Sequence, residues 1–174
     1  GYALGAIDPP SLAEVGAMAP DQDHGAVESG CVVYELLRGN DELAVLDTTR
    51  LPAIARRIPL RAAASVDGGA APYQVNPYDV LTLSPTRAWV VQYQRPRIAI
   101  VDPTRDGASA VVGAIDLTPL RSPADLDPSG ALEAARIVRA GRRVFVALQN
   151  LNMFMPVTNG TLAASALVVA PHVV

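Results

Sequence analysis

Short apolar runs broken by Gly, Pro, Asp and Asn dominate the chain. The segments CVVYELL (31–37), ELAVLD (42–47), VLTLS (80–84), AWVVQY (88–93), RIAIVD (97–102), AVVGAIDL (110–117), RVFVALQ (143–149) and ALVVA (166–170) have strand length and strand composition. In 97–102 the alternation places Ile98 and Ile100 on one face. Helical periodicity is confined to residues 130–140, where Leu132, Ala135, Ile137 and Val138 make one short stripe. A short helical insertion is therefore expected within residues 119–139, although EAARIVRAG (133–141) also fits loosely as a strand. The pattern predicts an all-β protein.

The runs recur in a fixed order. A strand ending in Asp appears as ALGAID (3–8), LAVLD (43–47) and IAIVD (98–102). The strand before it appears as VVYELLRGND (32–41), WVVQYQRP (89–96) and VFVALQN (144–150), and the strand after it as SLAEVGAM (11–18), IARRIPL (54–60) and VVGAIDL (111–117). Three strand types repeating at about 40 to 55 residues describe propeller blades. PYDVLTLS (77–84) supplies the innermost strand. Residues 1–174 then form one incomplete β-propeller domain of about three four-stranded antiparallel blades, with blade remnants near 1–18, 24–60, 77–117 and 133–174. Three blades cannot close a ring. The chain is thus expected to be a fragment of a longer product or to partner another copy, and the opening Gly1 in place of an initiator Met points to the fragment.

Composition narrows the chemistry. The 174 residues carry 17 acidic and 14 basic side chains for a net charge of −3, and half of them are apolar. That length suits one domain with a sizeable core, and the interspersed charges argue against disorder. Mild acidity gives no electrostatic footprint for nucleic acid. Every basic residue is Arg, so a Lys Schiff base and a phosphate-loop Lys are excluded. Cys31 is the lone cysteine and His24 and His172 the only histidines, which excludes an internal disulfide and a structural Cys/His zinc site. No segment reaches the roughly 20 apolar residues of a membrane-spanning helix.

Residues 76–117, NPYDVLTLSPTRAWVVQYQRPRIAIVDPTRDGASAVVGAIDL, resemble a blade of the bacterial YVTN-type β-propeller proteins of the cell surface. Within these they are most similar to the lipoprotein-like propellers of high-GC proteobacteria. CVVYELLRGNDELAVLD (31–47) resembles the strand–Gly-Asn-Asp–strand–Leu-Asp hairpin of the same proteins. ADLDPSGALEA (124–134) with GRRVFVALQNL (141–151) resembles their acidic connecting loop and next blade. The sequence departs from the pattern at Thr86-Arg87, where Asp-Gly is commoner, and at ALVVAP (166–171), which lacks the terminal Asp. The resemblance implies an extracytoplasmic place, whether periplasm, outer-membrane surface or secreted, with anchoring through a lipid signal outside this chain.

Candidate sites each have a plainer reading. Asp125, Asp127 and Glu133 in PADLDPSGALE could wrap Ca²⁺ with backbone carbonyls, the one cofactor expectation in a chain for which none is otherwise expected. The plainer reading has the two Asp starting turns and Glu133 facing water in the first turn of a short helix. Asp79 opens the proposed innermost strand, which lines a propeller's channel, and is the channel candidate. Its plainer reading is a structural carboxylate accepting backbone N–H groups between neighbouring blades. The turn Asp21-Gln22-Asp23-His24-Gly25 echoes a calcium loop only in its first two acids. Cys31 and His24 form the one cysteine–histidine pair, with Cys31 expected to pack as a small apolar residue. Tyr34, Trp89, Tyr93 and Phe145 fall on equivalent second strands and read as inter-blade core rather than a sugar- or peptide-binding stripe. Asn159-Gly160-Thr161 reads as a hairpin turn before it reads as a glycosylation acceptor. No Gly-x-Ser-x-Gly elbow is present.

The expected function is a non-enzymatic, extracytoplasmic or cell-surface binding and assembly scaffold, with no catalytic residues. Its expected partner is a protein or further blades of the same gene product, and neither nucleic acid nor a membrane-spanning segment is expected. Two alternatives stand beside it. A metal-dependent, lactonase-like propeller hydrolase requires Asp79, Asp125, Asp127 and Glu133 to converge. A structural subunit whose ring is completed by a partner chain requires exposed apolar edges at both termini.

Overall fold

The computed structural model describes residues 4–8, 13–18, 23–49, 53–61, 74–120, 132–149 and 165–169. Among these residues lie thirteen strands in four antiparallel sheets and no α-helix. Sheet A pairs β1 (Leu4–Asp8) with β2 (Ala13–Met18). Sheet B is a meander of β3 (His24–Ser29), β4 (Val32–Leu37), β5 (Glu42–Asp47) and β6 (Ala53–Pro59). Sheet C repeats it with β7 (Pro77–Ser84), β8 (Arg87–Gln92), β9 (Arg97–Val101) and β10 (Val111–Asp116). Sheet D holds β11 (Ala134–Ala140), β12 (Arg143–Leu148) and β13 (Ser165–Val169).

The period-2 alternation gives the central strands of sheets B and C two buried faces, and sheets B, C and D stack on them. Tyr34, Leu36, Leu43 and Val45 of sheet B pack against Val80, Ala88, Val90 and Ala99 of sheet C. Trp89, Val91 and Ile98 on the opposite face of sheet C pack against Ile137, Val144 and Val146 of sheet D. Successive four-stranded meanders stacked face to face are propeller blades, here an all-β partial propeller.

Asp residues close strands by local chemistry. Asp47 Oδ1 accepts the Thr49 amide (2.9 Å) and hydroxyl (2.6 Å), and Asp102 Oδ1 accepts those of Thr104 (3.0 and 2.6 Å). Asp116 accepts the Thr118 amide at 2.8 Å. An Asp followed two residues on by Thr bends the chain out of its ladder. These bonds favour the ionised carboxylates, so Asp102 and Asp116 titrate below the ordinary carboxylate value.

The expected helical insertion is corrected over its C-terminal part. Residues 134–140 are β11, the inner strand of sheet D, and 118–120 form a single 3-10 turn, while 121–131 lie outside the described residues. Ala135 and Ile137 are buried and Arg136 and Val138 exposed, an alternation that the β-branched Ile137-Val138 pair favours over a helical stripe.

Candidate functional site

In an antiparallel meander the first strand's start, the second strand's end, the third strand's start and the fourth strand's end all lie at one end of the sheet. That end is built the same way in sheets B, C and D. The amide of Arg38 donates to the Asp23 carbonyl (2.8 Å), that of Tyr93 to Asn76 (2.9 Å) and that of Gln149 to Glu133 (3.2 Å). Leu60 N–H likewise closes sheet B on the Asp41 carbonyl (2.9 Å), and Leu117 N–H closes sheet C on Pro96 (2.7 Å). Asn76 and Glu133 both enter their inner strands at positive φ, +50° and +43°.

A belt of side chains crosses three blades at this end. The Arg38 guanidinium of sheet B lies 4.4 Å over the Tyr78 ring of sheet C. Tyr78 stacks on Tyr93 with centroids 4.8 Å apart and planes at 27°. The Tyr93 hydroxyl donates to Gln149 Oε1, just past β12 of sheet D, at 2.9 Å. Arg38, Tyr78, Tyr93 and Gln149 are all half-buried, so the belt is held from below and open above. Burial first, then the Glu133 carboxylate, push the Tyr93 hydroxyl above its ordinary pKa and keep it a neutral donor.

Beneath the belt, Asp41 ties two blades together. It is fully buried at φ +58° in the tight turn after the 3-10 segment Arg38–Asn40. Its carboxylate accepts Arg61 Nε (2.6 Å) and the amides of Val75 (2.8 Å) and Asn76 (2.9 Å), the chain that leads into β7. Three donors, one of them charged, offset the cost of burying the carboxylate. Sequence reasoning treated Gly-Asn-Asp as a hairpin motif and missed this bracket. Its donors lie 20 to 35 residues away, and only the invitation to positive φ at the turn was local.

Asp79 sits one blade further on. It is 5% exposed, with Oδ1 accepting the Val80 amide (2.9 Å) and Oδ2 accepting the Ile137 amide of sheet D (3.0 Å). Arg136 Nη1 approaches the same Oδ2 at 3.8 Å. Both oxygens therefore serve the backbone, one of them across the junction between blades. Glu133 is buried beside the start of β11, near enough for its charge to act on Tyr93. Asp125 and Asp127 lie outside the described residues. Among the described residues no group of three His, Cys, Asp or Glu is placed to hold a metal ion.

The remaining candidates separate. His24 does not face Cys31. Its Nδ1 stands 2.9 Å from Glu35 Oε1, and Glu35 is fully buried. Burial raises the Glu35 pKa, against the opposing pull of His24 and Arg57. Cys31 corrects the expectation of a packed apolar residue: it is exposed at φ +63° in the turn before β4, its amide donating to Glu28 Oε1 at 2.8 Å. Gly30 beside it has φ +62°, and a Cβ there would come within 3.0 Å of Thr82 Cβ of β7. Tyr34 and Trp89 are buried between blades, while Tyr93 lies past the end of β8 and joins the belt instead. Asp23 is exposed and pairs with Arg38 at 3.4 Å, while Asp21, Gln22 and Asn159-Gly160-Thr161 lie outside the described residues. No helix among the described residues is long and apolar enough to cross a membrane.

No protein-family model matches the chain, and no curated protein sequence matches it. Among solved structures it is similar to the hydrazine synthase of Kuenenia stuttgartiensis, at 14% identity and a TM-score of 0.61, over 98% of this chain and 40% of that one. It is also similar to the dihydro-heme d1 dehydrogenase NirN, solved in complex with DHE, at 11% identity and a TM-score of 0.49, over 83% and 28% of the two chains. The chain thus spans less than half the length of either. The hydrazine synthase is a β-propeller protein, and the likeness to it shows the propeller fold.

Proposed function

We propose that this chain is part of a YVTN-like propeller that works outside the cytoplasm as a binding and assembly scaffold, and that the belt at the blade end is its contact surface. The observation that carries the reading is the Arg38–Tyr78–Tyr93–Gln149 sequence of contacts, to which three consecutive blades each contribute. Half-exposed aromatic rings held rigid by a guanidinium and an amide give contact area at low entropic cost, as binding hot spots do. The carboxylates around it, Asp41 and Asp79, are engaged by backbone amides within and between blades. That engagement supports a scaffold over the lactonase-like alternative, which would draw on Asp79 as a ligand. The extracytoplasmic place and the YVTN kinship rest on the sequence resemblance.

The test uses the native gene product. It is expected to fractionate outside the cytoplasm, in a complex heavier than its own mass. Tyr78→Ala with Tyr93→Ala should weaken that complex at least tenfold and leave lactone hydrolysis undetectable with or without calcium. A cytoplasmic monomer, or calcium-dependent hydrolysis lost on chelation, would overturn the reading.

A further inference from the structure

The ladder register aligns one row of residues in each blade. In sheet B the row is Val27–Tyr34–Val45, in sheet C Leu81–Trp89–Ile100 and in sheet D Val138–Phe145–Val168. Directly opposed residues of antiparallel strands share a face. The first two rows look toward the following blade and are covered by it. Tyr34 is fully buried, with its hydroxyl 2.9 Å from Thr82 Oγ1 of β7, and Trp89 is 6% exposed against sheet D. In the third row Val138 is 55% exposed and Phe145 only half-buried.

The same face of sheet D carries Arg136 and Arg143, both exposed. Arg136 occupies the register position held in sheet C by Asp79, two residues before the apolar row on the inner strand. At the junction of sheets C and D that position accepts a backbone amide. Here it is an Arg whose Nη1 stands 3.8 Å from Asp79 Oδ2 and whose side chain is 72% exposed, so a group that meets its remaining N–H donors must be an acceptor.

From this we infer that the Val138–Phe145 face is the docking face for a further blade-type β-sheet, aliphatic on the contacting face and carrying a carboxylate at its rim opposite Arg136. Sheets B, C and D of a second copy do not supply the covering face. The faces that could cover such a row are Val80, Ala88 and Val90 in sheet C and Ile137, Val144 and Val146 in sheet D, and these are already buried within the chain. The corresponding face of sheet B, with Glu35, Leu37, Ala44 and Leu46, is buried as well. The inference rests on the scaffold reading for its biological sense but uses a surface separate from the belt.

The experiment places the photo-crosslinking residue p-benzoylphenylalanine at Phe145 in the native gene product, followed by peptide mapping. Cross-links are expected to a strand of alternating aliphatic residues, with a nearby Asp or Glu, outside residues 1–174. Val138→Glu should lower the yield at least tenfold, while Val112→Glu, at an exposed position on the outer strand β10, should leave it unchanged. Circular dichroism of each variant separates lost docking from lost folding. Cross-links within residues 1–174 of another copy, or none in a folded protein, would overturn the inference. Tyr78→Ala with Tyr93→Ala should not change the yield, so the belt and this face fail or stand separately.

Discussion

Sheets C and D carry the same row of large apolar residues at the same register, yet Trp89 is almost wholly buried and Phe145 is not. The sequence pattern within each sheet is equivalent. The difference comes from what lies beyond the sheet, because in a stacked-blade fold every face is completed by its neighbour. A row centre therefore contributes to stability in proportion to the neighbour it meets, and comparing the two rows measures that neighbour directly.

The largest expected effect is at the covered row. Trp89→Ala should destabilise the chain by about 3–5 kcal/mol, the cost of a large buried truncation, whereas Phe145→Ala should cost about 1 kcal/mol in residues 1–174 alone. Urea denaturation of the two variants gives the ratio, and equal costs would erase the distinction between the rows. Next comes Asp79, the bond across the same junction. Asp79→Ala leaves the Ile137 amide without its acceptor and should cost about 1–3 kcal/mol, with faster hydrogen exchange at Ile137. Unchanged protection there would show that the bond does not join the blades.

A smaller effect of opposite sign is expected at Gln92. It ends β8 where Leu37 ends β4 and Leu148 ends β12, all three buried. The Gln92 amide has no hydrogen-bond partner among the described residues, so Gln92→Leu should stabilise by about 1–2 kcal/mol in thermal melts. A loss of stability would mean that the amide has a use in the native assembly.

The smallest effect is in the pH dependence. The Thr104 hydroxyl and amide lower the Asp102 pKa in the fold, so the unfolded chain binds the proton more readily than the folded one. The stabilisation is therefore complete above the ordinary carboxylate range and is lost as pH falls through the depressed value. Thr104→Val should lower the plateau at neutral pH slightly and flatten the acid limb, leaving stability below the depressed value unchanged. An unchanged limb would assign the acid sensitivity elsewhere.

Much of the fold was legible because its causes are local. The strand-ending Asp repeats mark turns made with a Thr two residues on, as at Asp47 and Asp102, and the apolar alternation of 97–102 needs no distant partner. The equivalence of Tyr34, Trp89 and Phe145 was legible for the same reason. Residues 130–140 misled because Leu132, Ala135 and Val138 mimic a helical stripe, and only packing against sheet C decides for a strand. The belt was half legible. Tyr93 was noticed as an aromatic on a second strand, but its stacking on Tyr78, the bond to Gln149 and the Arg38 guanidinium over Tyr78 together join three blades that no spacing rule relates. Asp41 was illegible as a bracket because a carboxylate in a turn looks solvated until its distant donors arrive.

The most direct measurement is hydroxyl-radical footprinting of the native protein, reading Phe145 against Trp89 as a protected internal reference. If a further blade covers the Val138–Phe145 row, Phe145 will be protected to the level of Trp89 in the native protein and reactive in residues 1–174 alone. Equal and high reactivity of Phe145 in both would contradict the account, leaving sheet D as a finished face of the molecule.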